Sequence, residues 1–191
     1  MATRAQQHHT IVALVEDKPG VLNRIASKWR QRGFNIESLA VGHSEIPGLS
    51  RMTFTVDGAM HDVEQVTKQL YKVIEVVKIT DITGEDVVAR ELALIRVAAS
   101  PNNRTAILEI AHVFRANVVD VAHDSLIIEV TGDEEKIEAL YELLLPYGVK
   151  ELMRTGRIAM SRGGAGHHLD DGTLRRYRSA GEGKAQVGSL L

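Results

Sequence analysis

The sequence lacks several features that would direct it to a particular class of protein. It has no cysteine among 191 residues, which excludes disulfide bonds, thiol catalysis and thiolate metal sites and fits a reducing compartment. The polar residues 1–9 lack the apolar core of a signal peptide, and no apolar run approaches the length of a membrane span. A net charge of −2 gives no indication of a nucleic-acid or membrane partner. We therefore expect a cytoplasmic protein that binds neither.

Catalytic and cofactor motifs are also missing. The run Gly42-His43-Ser44 begins like a nucleophile elbow, but Ile46 stands where the second glycine should be. There is no Walker loop, and Gly164-Ala165-Gly166 lacks the third glycine of a dinucleotide site. The pairs His8-His9 and His167-His168 lie in polar terminal segments, where we expect solvated side chains rather than a metal site. These absences favour a binding or regulatory protein with no metal or cofactor of its own.

The first half of the chain alternates between strand and helix patterns. A hydrophobic content of 44% and a charged content of 25% are typical of a globular protein. Strands are predicted at residues 10–15, 35–43, 51–56 and 76–83. Apolar residues at helical spacing predict two helices, the first ended by Gly33 and the second capped by Asp62. Their apolar stripes are Val21, Leu22, Ile25 and Trp29, and Val63, Val66, Leu70, Val73 and Ile74.

The second half repeats this order. An offset of 82 residues aligns Pro19 with Pro101, Ile25 with Ile107 and Asn35 with Asn117. Strands are predicted at 91–99, 117–121, 125–130 and 149–160. One helix is opened by Pro101, and another is capped by Thr131 and Glu134. Each half reads βαββαβ, so the predicted fold is α+β with two ferredoxin-like sandwiches in tandem.

These patterns delimit four segments of the chain. Residues 1–9 are predicted to be a flexible N-terminus, residues 10–84 the first sandwich and residues 85–162 the second. Residues 163–191 contain seven glycines and few large apolar residues, and are predicted to be a flexible tail. Its basic run Arg175-Arg176-Tyr177-Arg178 is expected to be solvated, with docking to an acidic partner as the alternative.

The turn between the first strand and the first helix is the most distinctive stretch. Pro19 is predicted at the first helical position, and Gly20 leaves the first turn without a side chain. The N–H groups there have no intrahelical partner and carry the positive end of the helix dipole, so an amino-acid carboxylate can approach them. The spacing alone fits a simple strand-to-helix turn as well. The aligned second turn has Asn102 in place of Gly20 and therefore lacks this feature.

Three runs of sequence carry a family resemblance: VEDKPGVL at 15–22, RGFNIESL at 32–39 and LSRMT at 49–53. They closely resemble the small regulatory subunit of acetolactate synthase, over residues 10 to about 162. The resemblance implies that the first sandwich is an ACT domain, a module that senses amino acids. It also implies that the chain binds a large catalytic subunit, raises its activity and confers feedback inhibition by valine or another branched-chain amino acid. Thiamine diphosphate, Mg²⁺ and FAD are then expected in that catalytic partner.

The resemblance also implies a binding site. In this family, ACT domains pair side by side as a homodimer, and the turn of one subunit faces the strand start of the other. The effector residues implied in this chain are Asp17, Pro19, Gly20, Val21, Leu22, Asn35 and Ile36.

Six of these seven residues have an expected role in binding. The amides of Gly20 and Val21 would hold the effector carboxylate. Asp17, where relatives often carry asparagine, would accept a hydrogen bond from the ammonium. Asn35 would either join it or order the turn. Leu22 and Ile36 would bound the branched side chain, with membership of the core as the alternative.

Two other functions fit parts of the sequence. One is a stand-alone ACT-domain sensor or transcriptional regulator, but no DNA-binding helix pair or basic face supports the latter. The other is a small ferredoxin-like enzyme, which the missing catalytic residues disfavour.

Overall fold

The computed structural model describes residues 8–57, 60–163, 169 and 172. The chain divides into two compact units, one formed by the described parts of Met1–Val88 and Ala159–Leu191 and the other by Ala89–Ile158. Among the helices in these residues, none is long and apolar enough to cross a membrane. The predicted flexibility of residues 1–7 and of most of the tail lies outside the described residues. The same is true of His167-His168, Gly164-Ala165-Gly166 and the basic run.

The first unit contains the predicted βαββαβ order. Its elements are β1 (His8–Glu16), α1 (Val21–Gln31), β2 (Ile36–His43), β3 (Leu49–Asp57), α2 (Met60–Leu70) and β4 (Val76–Asp81). The strands form an antiparallel sheet in the order β2-β3-β1-β4. Because side chains alternate along a strand, β1 and β3 each direct every second residue toward the helices. The edge strand β2 pairs only with β3 in this sheet.

The core of the first unit lies between this sheet and the two helices. Ile11, Phe54, Ile25 and Trp29 are fully buried in it. The Trp29 ring meets Phe34 edge-on, at a centroid distance of 5.6 Å and an interplanar angle of 84°. Such aromatic pairs are favourable beyond the area they bury. The predicted apolar stripe of α1 is therefore confirmed at its core positions.

The second unit repeats the arrangement. Its elements are β5 (Val87–Ala98), α3 (Arg104–Val113), β6 (Asn117–Val121), β7 (Ser125–Gly132), α4 (Glu134–Leu144), a 3-10 turn (Leu145–Tyr147) and β8 (Val149–Arg154). The sheet order β6-β7-β5-β8 matches that of the first sheet position by position, and a further strand, β9 (Ile158–Ser161), pairs with β5. The predicted tandem α+β fold is confirmed.

Several predicted helix starts are wrong, because the residue that caps a helix is decided by local backbone geometry. Gly20 is the N-cap of α1, so Pro19 precedes the helix instead of opening it. α2 begins at Met60, which places Asp62 inside its first turn. α3 begins at Arg104, so Pro101 lies in the turn before it.

The start of α4 and the ends of other elements also differ from the predictions. Asp133, not Thr131, caps α4, with its side chain accepting a hydrogen bond from the Lys136 amide at 2.9 Å. Thr131 cannot take that place because it is still paired in β7. α2 ends before Val73 and Ile74, and Ile74 is 89% exposed. The last predicted strand, 149–160, is two strands, β8 and β9.

His8 and His9 begin β1, and His8 is exposed as expected whereas His9 is not. His9 is buried, and its Nδ1 lies 3.4 Å from Asp81 Oδ2 and 3.4 Å from Thr83 Oγ1. His8 Nδ1 lies 2.7 Å from Glu37 Oε2 on β2. The strand extends this far because β3 is long enough to pair with both histidines.

Candidate functional site

The turn between β1 and α1 is built on a left-handed glycine. Gly20 has φ +84°, a conformation that costs other residues energy, and it serves as the N-cap of α1. A Cβ added there would meet no heavy atom within 4 Å, so the backbone conformation requires glycine and crowding does not. No side chain of the described residues caps this helix end. The positive end of the helix is therefore open to a ligand.

The amides of the turn are not equally available. Val21 N–H donates to the Lys18 carbonyl at 3.4 Å, a long and weak bond, so its amide is less open than the sequence predicts. Leu22 and Asn23 follow at the second and third helical positions, whose N–H groups have no partner within the helix. The open amides of this turn therefore reach Asn23, two residues further along the helix than expected.

Neighbouring segments hold this turn in place. The Glu16 amide donates to the Glu75 carbonyl at 2.8 Å, and the Asp17 amide donates to the Gly48 carbonyl at 2.9 Å. The Asp17 carboxylate lies 3.4 Å from His43 Nδ1 at the end of β2. The turn is therefore fixed to both the β2–β3 loop and the segment before β4.

An ion pair connects the first turn of α1 to the same segment. Arg24 Nη1 donates to Glu75 Oε1. Glu75 is only 7% exposed, and its second carboxylate oxygen has no hydrogen-bond partner among the described residues. The helix start and the residue before β4 are consequently held together by charge as well as by backbone.

The predicted site residues differ in exposure. Leu22 is 38% exposed, so the alternative that it is a core residue is wrong. Val21 points into the core and offers only its backbone. Ile36 is half-buried against the core, while Asn35 and Asp17 are exposed. An apolar contact from Leu22 and polar contacts from Asp17 and Asn35 are thus available to a ligand.

One chain does not bring all of these residues together. Glu16 pairs with Leu49 and His43 with Ser50 at one end of the sheet, whereas His9 and Ile36 both pair with Val56 at the other end. From His9 to Glu16 the strand advances seven residues, or about 24 Å. Asn35 and Ile36 therefore lie at the opposite end of the sheet from the Gly20 turn.

Three residues near the turn are missed by the sequence reasoning. His43 is noted there only as part of an incomplete nucleophile elbow, and Gly48 and Glu75 are not singled out. Their roles depend on sheet pairing, because β4 places Glu75 beside the end of β1 and the β2–β3 loop places Gly48 beside Asp17. No local motif signals either contact.

Comparison with known proteins identifies the family of this chain. A family model described as the small subunit of acetolactate synthase matches residues 90–163, and one described as an AHAS small subunit-like ACT domain matches residues 11–78. A probable acetolactate synthase small subunit of Archaeoglobus fulgidus is 58% identical over 155 residues, which cover 81% of this chain and 97% of that protein. The chain belongs to the acetolactate synthase small-subunit family.

Other members of the acetolactate synthase small-subunit family agree with this assignment. The small subunit of Bacillus subtilis is 54% identical over 154 residues, covering 80% of this chain and 90% of that protein. The crystal structure of the small subunit from Thermotoga maritima is 41% identical, with a TM-score of 0.76, and covers 83% of this chain and 99% of that one. The resemblance inferred from the three sequence runs is confirmed.

Within this small-subunit family, the ACT-type segment contains all the predicted site residues, since residues 17–36 fall inside the matched range. The corresponding turn of the second unit is different. Its N-cap, Asn103, has φ −115° and is not left-handed. Asn103 Oδ1 accepts a hydrogen bond from the Ser100 amide at 2.6 Å, and Arg104 donates to the carbonyls of Ala122 and His123 at 2.9 and 2.8 Å. The Asn103 side chain and the Arg104 Nη2 group of that turn are thus used within the unit.

Proposed function

We propose that this chain is the regulatory subunit of acetolactate synthase. In this role it binds the large catalytic subunit, raises its activity and makes it sensitive to valine or another branched-chain amino acid. Membership of the small-subunit family supports this function, because the name of a small subunit implies a large partner. Thiamine diphosphate, Mg²⁺ and FAD belong to the catalytic partner in this proposal, and this chain supplies no catalytic group.

The effector site of the proposal is shared between two copies of the chain. β2 lies at the edge of the sheet formed by the described residues, and its Val41 is 50% exposed, so this strand is the one positioned to pair with a second copy of the chain. If two copies of β2 pair antiparallel about the middle of the strand, Ile36 of the partner subunit lies beside His43. That pairing brings the Asn35 end of one protomer to the Gly20 turn of the other and creates two equivalent sites.

The chemistry of the half that contains the Gly20 turn suits an amino acid. The open N-terminus of α1 attracts a carboxylate, and the Asp17 carboxylate can accept a hydrogen bond from an ammonium. Leu22 contributes an exposed apolar side chain on the same helix turn. The observation that carries the proposal is the left-handed Gly20 N-cap, a helix end that no side chain of the described residues caps.

Reconstitution with the catalytic subunit tests this function. The purified chain alone, supplied with thiamine diphosphate, Mg²⁺ and FAD, should make no acetolactate from pyruvate. Adding it to the cognate large subunit should raise the rate, and valine should then lower that rate. Turnover by the chain alone, or an unchanged rate on mixing, would contradict the proposal. Calorimetry with valine, leucine and isoleucine then identifies the effector.

A further inference from the structure

The face of the first sheet that points away from the helices carries a small buried cluster, formed by Leu14, Ile46 and Leu49. These residues are 5%, 3% and 1% exposed. Leu14 alternates along β1 with core residues on either side, so its side chain lies on the face opposite to α1 and α2. Because the helices of the first unit pack on the other face, burial of this cluster requires another cover.

Leu169 supplies part of that cover. It is half-buried and packs against this cluster together with Val77. It lies six residues beyond position 163, where the small-subunit family model ends. The segment predicted to be a flexible tail therefore has one residue that packs against a buried cluster.

The chain is fixed shortly before Leu169. The Arg162 amide donates to the Asp86 carbonyl at 2.8 Å, and Arg162 Nε lies 3.1 Å from Asp86 Oδ1. Residues 159–161 line a cavity of about 70 Å³ whose other wall includes Val12 and Leu14 of β1. Residues 159–161, eight positions before Leu169, thus already lie against the outer face of the sheet.

The cluster also adjoins the candidate effector turn. Ile46 and Leu49 flank Gly48, whose carbonyl holds the Asp17 amide, and the Leu49 amide donates to the Ile46 carbonyl at 3.1 Å. A side chain that packs on Ile46 and Leu49 therefore stabilises the loop to which the turn is attached. Loss of that packing loosens the loop and, through Gly48, the turn.

We propose that Leu169, which belongs to the C-terminal extension (residues 164–191), docks on the outer face of the first sheet of its own chain and thereby raises the affinity of the effector turn. The docking does not depend on the proposed function, whereas its effect on effector affinity rests on that function. The extension then acts as a built-in modulator of regulation, in addition to the core shared with the family.

Disulfide cross-linking tests the docking, because the natural chain has no cysteine. Leu169→Cys is combined in turn with Leu14→Cys, Ile46→Cys and Leu49→Cys in the full chain, followed by mild oxidation and peptide mass spectrometry. At least one pair should form a disulfide within a single chain. The control pair of Leu169→Cys with Ile74→Cys, at an 89% exposed position outside the cluster, should not. Failure of all three pairs, or links only between chains, would overturn docking in cis.

Leu169→Asp in the full chain tests the coupling. It should weaken valine binding by about fivefold, the lower end of ordinary coupling between sites. It should also lower the unfolding temperature by about 4 °C or more. The conservative variant Leu169→Met should keep the natural valine affinity and the natural unfolding temperature. Leu143→Asp, at a 50% exposed leucine on α4, is the matched control and should change neither.

The possible outcomes separate the two parts of the proposal. A destabilised Leu169→Asp protein with natural valine affinity would overturn the coupling and leave the docking. Natural stability and natural affinity together would overturn both. If the natural protein bound none of valine, leucine and isoleucine, the proposed function would be contradicted and the coupling with it, and the cross-linking result would still decide the docking.

Discussion

Replacing Gly20 with aspartate tests the candidate anion site at its most sensitive position. The left-handed backbone at Gly20, which is not evident from the sequence, makes any other residue there unfavourable for folding. The cost in folding free energy is about 1–2 kcal/mol for an ordinary residue and less for aspartate, which adopts this conformation more readily. No crowding adds to it, since a Cβ would meet nothing within 4 Å. An acidic group near a helix N-terminus stabilises the helix by about 0.3–1 kcal/mol, which offsets part of this cost. The protein should therefore stay folded.

The effect on ligand binding should be larger than the effect on folding. An aspartate carboxylate about 4 Å from the effector carboxylate repels it by about 1 kcal/mol in water and about 4 kcal/mol near a protein surface. Gly20 is exposed, so the lower value is the safer one, and it corresponds to a loss of affinity of about fivefold. The reconstituted enzyme should become correspondingly less sensitive to valine.

Two matched variants separate charge from strain. Gly20→Asn has nearly the same size and the same backbone strain but no charge, so the difference between the two variants isolates the repulsion. Gly148→Asp places the same residue at φ +90° in the second unit and should leave valine binding unchanged. Binding is measured by calorimetry and folding by circular dichroism. A folded Gly20→Asp protein with natural valine affinity would refute the proposed site.

Three further perturbations have definite expected outcomes. Asn35→Lys should weaken valine binding several-fold by repelling the ammonium. Asn117→Lys, at the aligned position of the second unit, should not alter calorimetric binding. Phe54→Ala should reduce the free energy of unfolding in urea by about 3–5 kcal/mol, because this ring is fully buried. Lys150 lowers the pKa of the Asp124 carboxyl below 3.8 through a hydrogen bond and through its positive charge. This interaction therefore stabilises the fold above pH 3.8, and the stabilisation is lost as the pH falls through the lowered pKa. Lys150→Met should return that pKa toward 3.8 in an NMR titration.

The repeated fold could be predicted from the sequence because its signals are local and periodic. The alternation of Met52, Phe54 and Val56 indicates a strand, and the spacing of Ile25 and Trp29 indicates a helix face. The first residue of each helix could not be predicted as accurately as the helix itself, since competing capping residues lie within a few positions of one another. The burial of His9 was missed because it depends on how far β3 extends to pair with β1.

The site was predictable only in part. The Gly20 turn stands out because proline fixes its own φ and glycine permits conformations that other residues avoid, although the positive φ of Gly20 is evident only in the structure. Glu75 and Leu169 reach their positions through contacts distant in sequence, which no local pattern records. The separation of Asn35 from the turn follows from antiparallel pairing once the strand order is known.

The central claim is that each effector site combines the Gly20 turn of one protomer with Asn35 of another, and a mixing experiment tests it most directly. Gly20→Asp and Asn35→Lys proteins, each weak in valine binding alone, are mixed in equal amounts, unfolded and refolded together. Random pairing makes half of the dimers mixed, and each mixed dimer has one site with neither substitution. The account predicts that about a quarter of all sites regain natural affinity in calorimetry. No recovery in a mixture shown to contain mixed dimers would contradict it.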